Sequence, residues 1–129
     1  MALVLVDASI VIAHLTRDDR YHEVASAALV SHRDDDVRIS ASAYAEALAR
    51  PIRLGAADKA QKAIRALHIA IAEIGAPVAE EAARLRARHR SLRLPDALVI
   101  AHAEVLGADE LLTTDARWLD YSPRVCVVR

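Results

Sequence analysis

Phenylalanine is absent from this chain, and one tryptophan and three tyrosines are its only aromatic residues. Sequence-tolerant binding of single strands relies on stacking bases against aromatic side chains, so a broad platform of that kind is not expected. A single cysteine, Cys126, rules out an internal disulfide. In its apolar, strand-like segment it reads as a small core residue of a reducing compartment. No apolar run approaches the roughly 20 residues that cross a bilayer; Asp7, Asp96 and Glu104 break the longest ones. The N-terminus has no basic region and Asp7 cuts its apolar run short, so no secretory signal is expected and the cytoplasm is the expected location. An excess of one charge is missing too. Seventeen Lys and Arg against 18 Asp and Glu give a formal net charge of −1, so contact with a polyanion requires a local basic patch.

What remains is a chain of 129 residues, 54% of them hydrophobic, without linker, repeat or low-complexity segment. That length corresponds to one domain, residues 1–129, able to bury roughly two thirds of its extended surface. Short β-branched runs alternate with longer helical patterns. Leu3 to Val6 is a continuous apolar run of strand length, as in a strand covered on both faces. Asp7 and Ser9 can cap a short helix over Ile10 to Leu15, and a second helix is predicted over Arg20 to His32. Val37 to Ser40 reads as a strand, followed by a helix that carries Glu46 and is ended or kinked by Pro51. From Ala56 to Ile71, apolar residues at 60, 63, 64, 67 and 71 form an amphipathic helical stripe. Ile74 to Val78 reads as a weak third strand, and Ala79 to Leu92 as a helix. Pro95 suits the first turn of a helix that stops at Gly107. Glu110 to Thr113 and Val125 to Val128 are the last predicted strands, with Asp115 able to cap a short helix around Trp118. Such alternation implies an α/β fold, three layers with a central, mainly parallel sheet, in which ligands gather at the carboxyl ends of the strands.

Four acids stand beside apolar chain rather than in polar stretches. Asp7 ends the run Leu3-Val4-Leu5-Val6, Glu46 interrupts Tyr44-Ala45-Glu46-Ala47-Leu48, Asp96 opens Asp96-Ala97-Leu98-Val99-Ile100-Ala101, and Asp115 closes Leu111-Leu112-Thr113-Thr114-Asp115. Each has an ordinary reading: Asp7, Asp96 and Asp115 as helix starts, Glu46 as a helix former facing water. Ionised carboxylates against buried apolar chain are costly unless paired or bound to a cation. Gathered together they would repel, and hard oxygen donors without nearby cysteine or paired histidine favour Mg²⁺ or Mn²⁺.

The segments Val6-Asp7-Ala8-Ser9, Tyr44-Ala45-Glu46, Leu94-Pro95-Asp96-Ala97-Leu98-Val99-Ile100-Ala101 and Leu111-Leu112-Thr113-Thr114-Asp115, in this order and spacing, resemble the PIN domain, and in particular the VapC-type toxins of bacterial toxin–antitoxin pairs. Such proteins often carry Asn where this chain has Thr114. The resemblance implies an α/β/α fold and Mg²⁺-dependent (or Mn²⁺-dependent) ribonuclease activity. Asp7, Glu46, Asp96 and Asp115 match the acidic quartet. Asp7, Asp96 and Asp115 would hold the main metal ion, Glu46 would assist a second ion or position water, and Thr113 would support from behind. An RNA substrate, a homodimer and a cognate antitoxin protein are implied as partners, with helices around Glu23 to Leu29 and Ala60 to Ile71 building the dimer interface and the antitoxin groove.

Arg84, Arg86, Arg88, Arg90 and Arg93 form a basic cluster just ahead of Asp96, either a solvated helix face or a grip for RNA phosphates. His89 and His102 read as core histidines, and His14, His22, His32 and His68 show no ligand spacing. Two other readings stay open. One is a non-catalytic signalling or scaffold module of PIN-like or receiver-like type, although the first strand ends in one acid only and no lysine follows Lys62. The other is a structure-specific DNA nuclease of the same broad fold.

Overall fold

A computed structural model describes residues 1–129. In chain order its elements are β1 (Leu3–Val6), α1 (Ala8–Leu15), α2 (His22–Ser31), β2 (Asp36–Ser40), α3 (Ala41–Arg53), α4 (Ala57–Ala66), β3 (Ala70–Ala72), α5 (Ala76–Arg88), α6 (Leu94–Leu106), β4 (Glu110–Thr113), a 3-10 helix (Ala116–Asp120) and β5 (Val125–Val127). The five strands are all parallel, in the order β3-β2-β1-β4-β5. Right-handed crossovers place α1 to α4 on one face and α5 with α6 on the other, and the contacts agree: α1 touches α2, α3 and α4, whereas α5 packs along α6. The fold is thus the expected three-layer α/β/α arrangement. Its core joins 32 buried residues, with Val4, Leu5 and Val6 of the central strand wholly inaccessible. A strand covered on both faces gains from side chains pointing either way, hence the unbroken apolar run.

Chain direction across the sheet reverses at β1. Its two neighbours are β2 and β4, with Val6 level with both Ile39 and Leu112. One residue further on, Asp7, Ser40 and Thr113 therefore come to the same carboxyl edge, and the Asp7 N–H still donates to Leu112 O at 2.9 Å. Behind them His102 of α6 is buried, its Nδ1 lying 3.1 Å from the Ser40 hydroxyl, which ties the helix to the end of β2. Burial and the nearby Arg38 charge lower the His102 pKa, so a neutral core imidazole fits as expected. Trp118 of the 3-10 helix is buried as well.

Three expectations are corrected. The third strand is Ala70–Ala72, not Ile74 to Val78: Gly75 precedes α5 and Pro77 occupies its first turn, where a missing N–H leaves no bond unmade. The amphipathic helix ends at Ala66 rather than at Ile71, because His68 turns left-handed at φ 56° and redirects the chain into β3. Cys126 lies on the edge strand β5 and is exposed, not a core residue. Of the end or kink expected at Pro51, the end is excluded, since α3 continues to Arg53. No helix is long and apolar enough to cross a membrane.

The sheet interior sets a stability expectation. Leu111 is fully buried on β4 between β1 and β5. Leu111→Ala should lower the unfolding free energy by about 3 kcal/mol through reduced burial and an unfilled cavity. Urea denaturation checks this, and an unchanged midpoint would contradict the packing described.

Candidate active site

Asp7 is the most buried of the four acids, at 9% exposure. It caps α1, with Oδ1 accepting from the Ala8 N–H at 2.8 Å. Its Oδ2 accepts from both Ser9 Oγ and Thr113 Oγ1 at 2.9 Å. These two hydroxyls also bind the β4 exit loop: Thr114 N–H donates to Ser9 Oγ and Asp115 N–H to Thr113 Oγ1. Asp7 and the loop carrying Asp115 are thereby locked to each other. Thr114 contributes its backbone to this link. Asp115 caps the 3-10 helix by accepting from Arg117 N–H at 3.0 Å. Asp96 lies in the first turn of α6 and Glu46 is an exposed residue of α3. The contact between α3 and α6 brings those two helices together.

The charges link Asp96 to Asp7, Glu46 and Asp115, and Asp7 to Glu46. Burial is the largest cause of the raised Asp7 pKa, only partly offset by the Ser9, Thr113 and Ala8 bonds, and the Asp96 charge raises it further. The Glu46 pKa is raised by desolvation, then by the charges of Asp7 and Asp96, against a lowering from Arg93. Asp96 is raised by burial and by Asp115, against Arg117 and Arg93. Asp115 differs: the Arg117 side-chain hydrogen bond holds its pKa below the usual carboxylate value. The structure therefore brings all four expected residues into one interacting group at the carboxyl edge of the sheet. Asp7, Glu46 and Asp96 form no ion pair, whereas Asp115 is paired with Arg117 at 2.7 Å. As placed, no three acidic, histidine or cysteine side chains are grouped closely enough to enclose a metal ion. The donor chemistry nevertheless fits a hard divalent cation: oxygen ligands only, three carboxylates unpaired, and one of them buried and pre-oriented by two hydroxyls.

Arg93 and Arg117 flank this group. The sequence singles out Arg93 but not Arg117, whose signal is a cation two residues past a capping acid, visible only once the one-turn helix is known. Of the remaining arginines, Arg84 and Arg88 pair with Glu81 and Arg86 donates to Leu92 O. His89 is half-buried against the edge of Tyr121, with ring centroids 4.9 Å apart. A groove of roughly 600 Å³ starts at Glu46 and runs between α1, α3 and α4. Ile12, Leu15 and Leu54 are among its apolar walls, and Arg17, Arg50, Arg53 and Lys59 also line it.

The raised pKa values carry a sign for stability. Asp7, Glu46 and Asp96 hold protons in the folded chain at pH values where the unfolded chain has lost them. Without metal, folding is therefore favoured below the ordinary carboxylate pKa, and that advantage is lost as pH rises through the raised folded values. Asp115 acts oppositely, its contribution being lost as pH falls through its lowered folded value. Asp7→Asn removes the most buried of these charges. In chelator-treated protein at pH 7 it should raise the melting temperature by a few degrees and flatten the decline from about pH 4 upward. A variant less stable than wild type at pH 7, with the same pH profile, would refute this reading of Asp7.

The PIN domain family model matches residues 4–122. No curated protein matches the chain in sequence. Among solved structures, a toxin–antitoxin complex from Klebsiella pneumoniae contains a chain with 25% identity and a TM-score of 0.80, the match covering 96% of each chain. VapC20 of Mycobacterium tuberculosis, described as a sarcin–ricin loop cleaving toxin, is 21% identical with a TM-score of 0.75, covering 91% of this chain and 93% of that one. VapBC2 of Rickettsia felis, bound to a DNA fragment from its promoter, gives 14% identity, a TM-score of 0.77 and coverage of 97% and 96%. With the family model spanning nearly its whole length, and the four acids grouped at one end of a parallel α/β/α sheet, this chain belongs to the PIN domain family.

Proposed function

We propose that residues 1–129 form a single PIN domain acting as a metal-dependent endoribonuclease, the toxin of a cytoplasmic toxin–antitoxin pair. The observation that carries this reading is Asp7, a carboxylate only 9% exposed at the switch point of a parallel sheet, held by Ala8, Ser9 and Thr113 and without a cationic partner. Family membership and the resemblance to chains from toxin–antitoxin complexes support it. Asp7, Asp96 and Asp115 would hold Mg²⁺ or Mn²⁺, and Glu46 would position water or assist a second ion. Bound there, a divalent cation supplies neutralising charge and lowers the pKa of an attacking water. Water attacks a backbone phosphorus in line with the departing 3′-oxygen. Asp7 is fixed for this work by Ser9 and Thr113, whose bonds orient its carboxylate. Arg93, which acts on both Glu46 and Asp96, is the cation suited to draw an RNA phosphate towards acids that would otherwise repel it.

For the antitoxin, the groove beside Glu46 accepts an amphipathic segment whose apolar face meets Ile12 and Leu15 and whose acidic groups meet Arg17, Arg50, Arg53 and Lys59. The expected involvement of α4 is supported by Ala60 and Ala63 in its wall, while α2 contributes none of its lining. Pairing of two copies as a homodimer is proposed from the family resemblance alone.

Cleavage of structured RNA with Mg²⁺ or Mn²⁺ tests the activity, with DNA of matched sequence as comparison. Asp7→Asn and Asp96→Asn should each lower the rate at least about a hundredfold with folding retained. RNA left intact by wild type, or cut equally by both variants, would overturn the assignment. Replacing Arg90 and Arg93 by alanine should weaken RNA binding and reduce its log–log salt slope by about one for each phosphate that is no longer neutralised. An unchanged slope would remove these arginines from the RNA path.

A further inference from the structure

Of the four acids, Asp115 alone already has a cation on both carboxylate oxygens. Arg117 Nε donates to Oδ1 at 3.0 Å and Nη2 donates to Oδ2 at 2.7 Å, while the Arg117 N–H adds a second bond to Oδ1. A planar guanidinium matched to a carboxylate in this way fixes its orientation. Nothing comparable touches the other three acids: Arg93, the second cation acting on the group, makes no side-chain hydrogen bond to any of them.

We infer that Arg117 is a latch on Asp115, closed in the metal-free protein, which a divalent cation must displace to take Asp115 as a ligand beside Asp7 and Asp96. This rests on the reading of the acids as a metal site, and it names a control on that site. A small divalent ion demands near-ideal oxygen geometry and cannot share a carboxylate with a guanidinium spanning both oxygens without repulsion. The Arg117 side chain is 82% exposed, so it can swing into water with little packing to lose. An exposed pair is weak, which limits the latch to about fivefold in affinity: it tunes metal occupancy rather than forbidding it.

The local fold separates the latch from the scaffold. Removing the Arg117 side chain leaves its backbone N–H on Asp115 Oδ1 and leaves Thr113 Oγ1 accepting from Asp115 N–H. The carboxylate is released but its loop stays capped.

The test is Mn²⁺ binding measured by calorimetry on the intact chain without RNA, comparing wild type, Arg117→Ala, Arg117→Gln, Arg93→Ala and Asp96→Asn. Both Arg117 variants should bind Mn²⁺ about two- to fivefold more tightly, and Arg93→Ala should change affinity less. In parallel, the Arg117 Nε–H resonance should shift towards its solvent-exposed position as Mg²⁺ saturates the wild type. Arg117 variants no tighter than wild type, an equal gain in Arg93→Ala, or an Nε–H signal unmoved at saturation would overturn the latch. With wild-type binding and its loss in Asp96→Asn intact, those results leave the metal reading standing. Absence of Mn²⁺ binding in wild type and Arg117 variants alike overturns both.

Discussion

Negative charge is concentrated at the point where the sheet reverses direction, and most of the local structure follows from accommodating it there. β1 is flanked by β2 and β4, and its C-terminal residue Val6 is level with Ile39 and Leu112. The residues that follow each strand must meet at one edge, and the helices that begin there present unpaired N–H groups. Asp7 and Asp115 answer that need as caps. Their ordinary structural duty and the proposed metal duty are therefore not competitors. Capping is what fixes each carboxylate in place, and it occupies only one or two lone pairs.

Burial makes the arrangement demanding. Asp7 is held by three donors, yet burial still outweighs them and raises its pKa. The remaining acids are more accessible, but each feels at least one other. Two cations temper the group unequally: Arg93 from the α6 side without a direct bond, Arg117 through a closed fork on Asp115. This imbalance leaves Asp7, Glu46 and Asp96 without a paired cation. It is the physical basis for proposing a divalent cation rather than a purely structural cluster.

The central strand, the order of elements and the place of Asp7, Asp96 and Asp115 at helix starts are legible in the sequence, for identifiable reasons. Leu3 to Val6 is apolar without interruption because it is covered on both faces, and Asp7 stands out against it. Pro95 and Gly107 mark the two ends of α6 through backbone rules that hold in any context. The third strand is hidden because Ala70–Ala72 is a three-residue edge strand, and the apolar spacing of α4 runs into it without a break. Only the left-handed turn at His68, a residue with no turn signature, ends the helix. Cys126 looks like a core residue because apolar neighbours do not distinguish an edge strand from a central one. Arg117 and the groove beside Glu46 depend on a one-turn helix and on three helices meeting, neither of which periodicity reports.

A crystal grown with Mn²⁺ and measured at the manganese absorption edge addresses the central claim most directly. The expected result is an anomalous peak bonded by Asp7 and Asp96 at about 2.2 Å, with Asp115 turned towards it and Arg117 swung away. Manganese bound elsewhere on the molecule, or absent from between Asp7 and Asp96 in crystals grown with it, would contradict it.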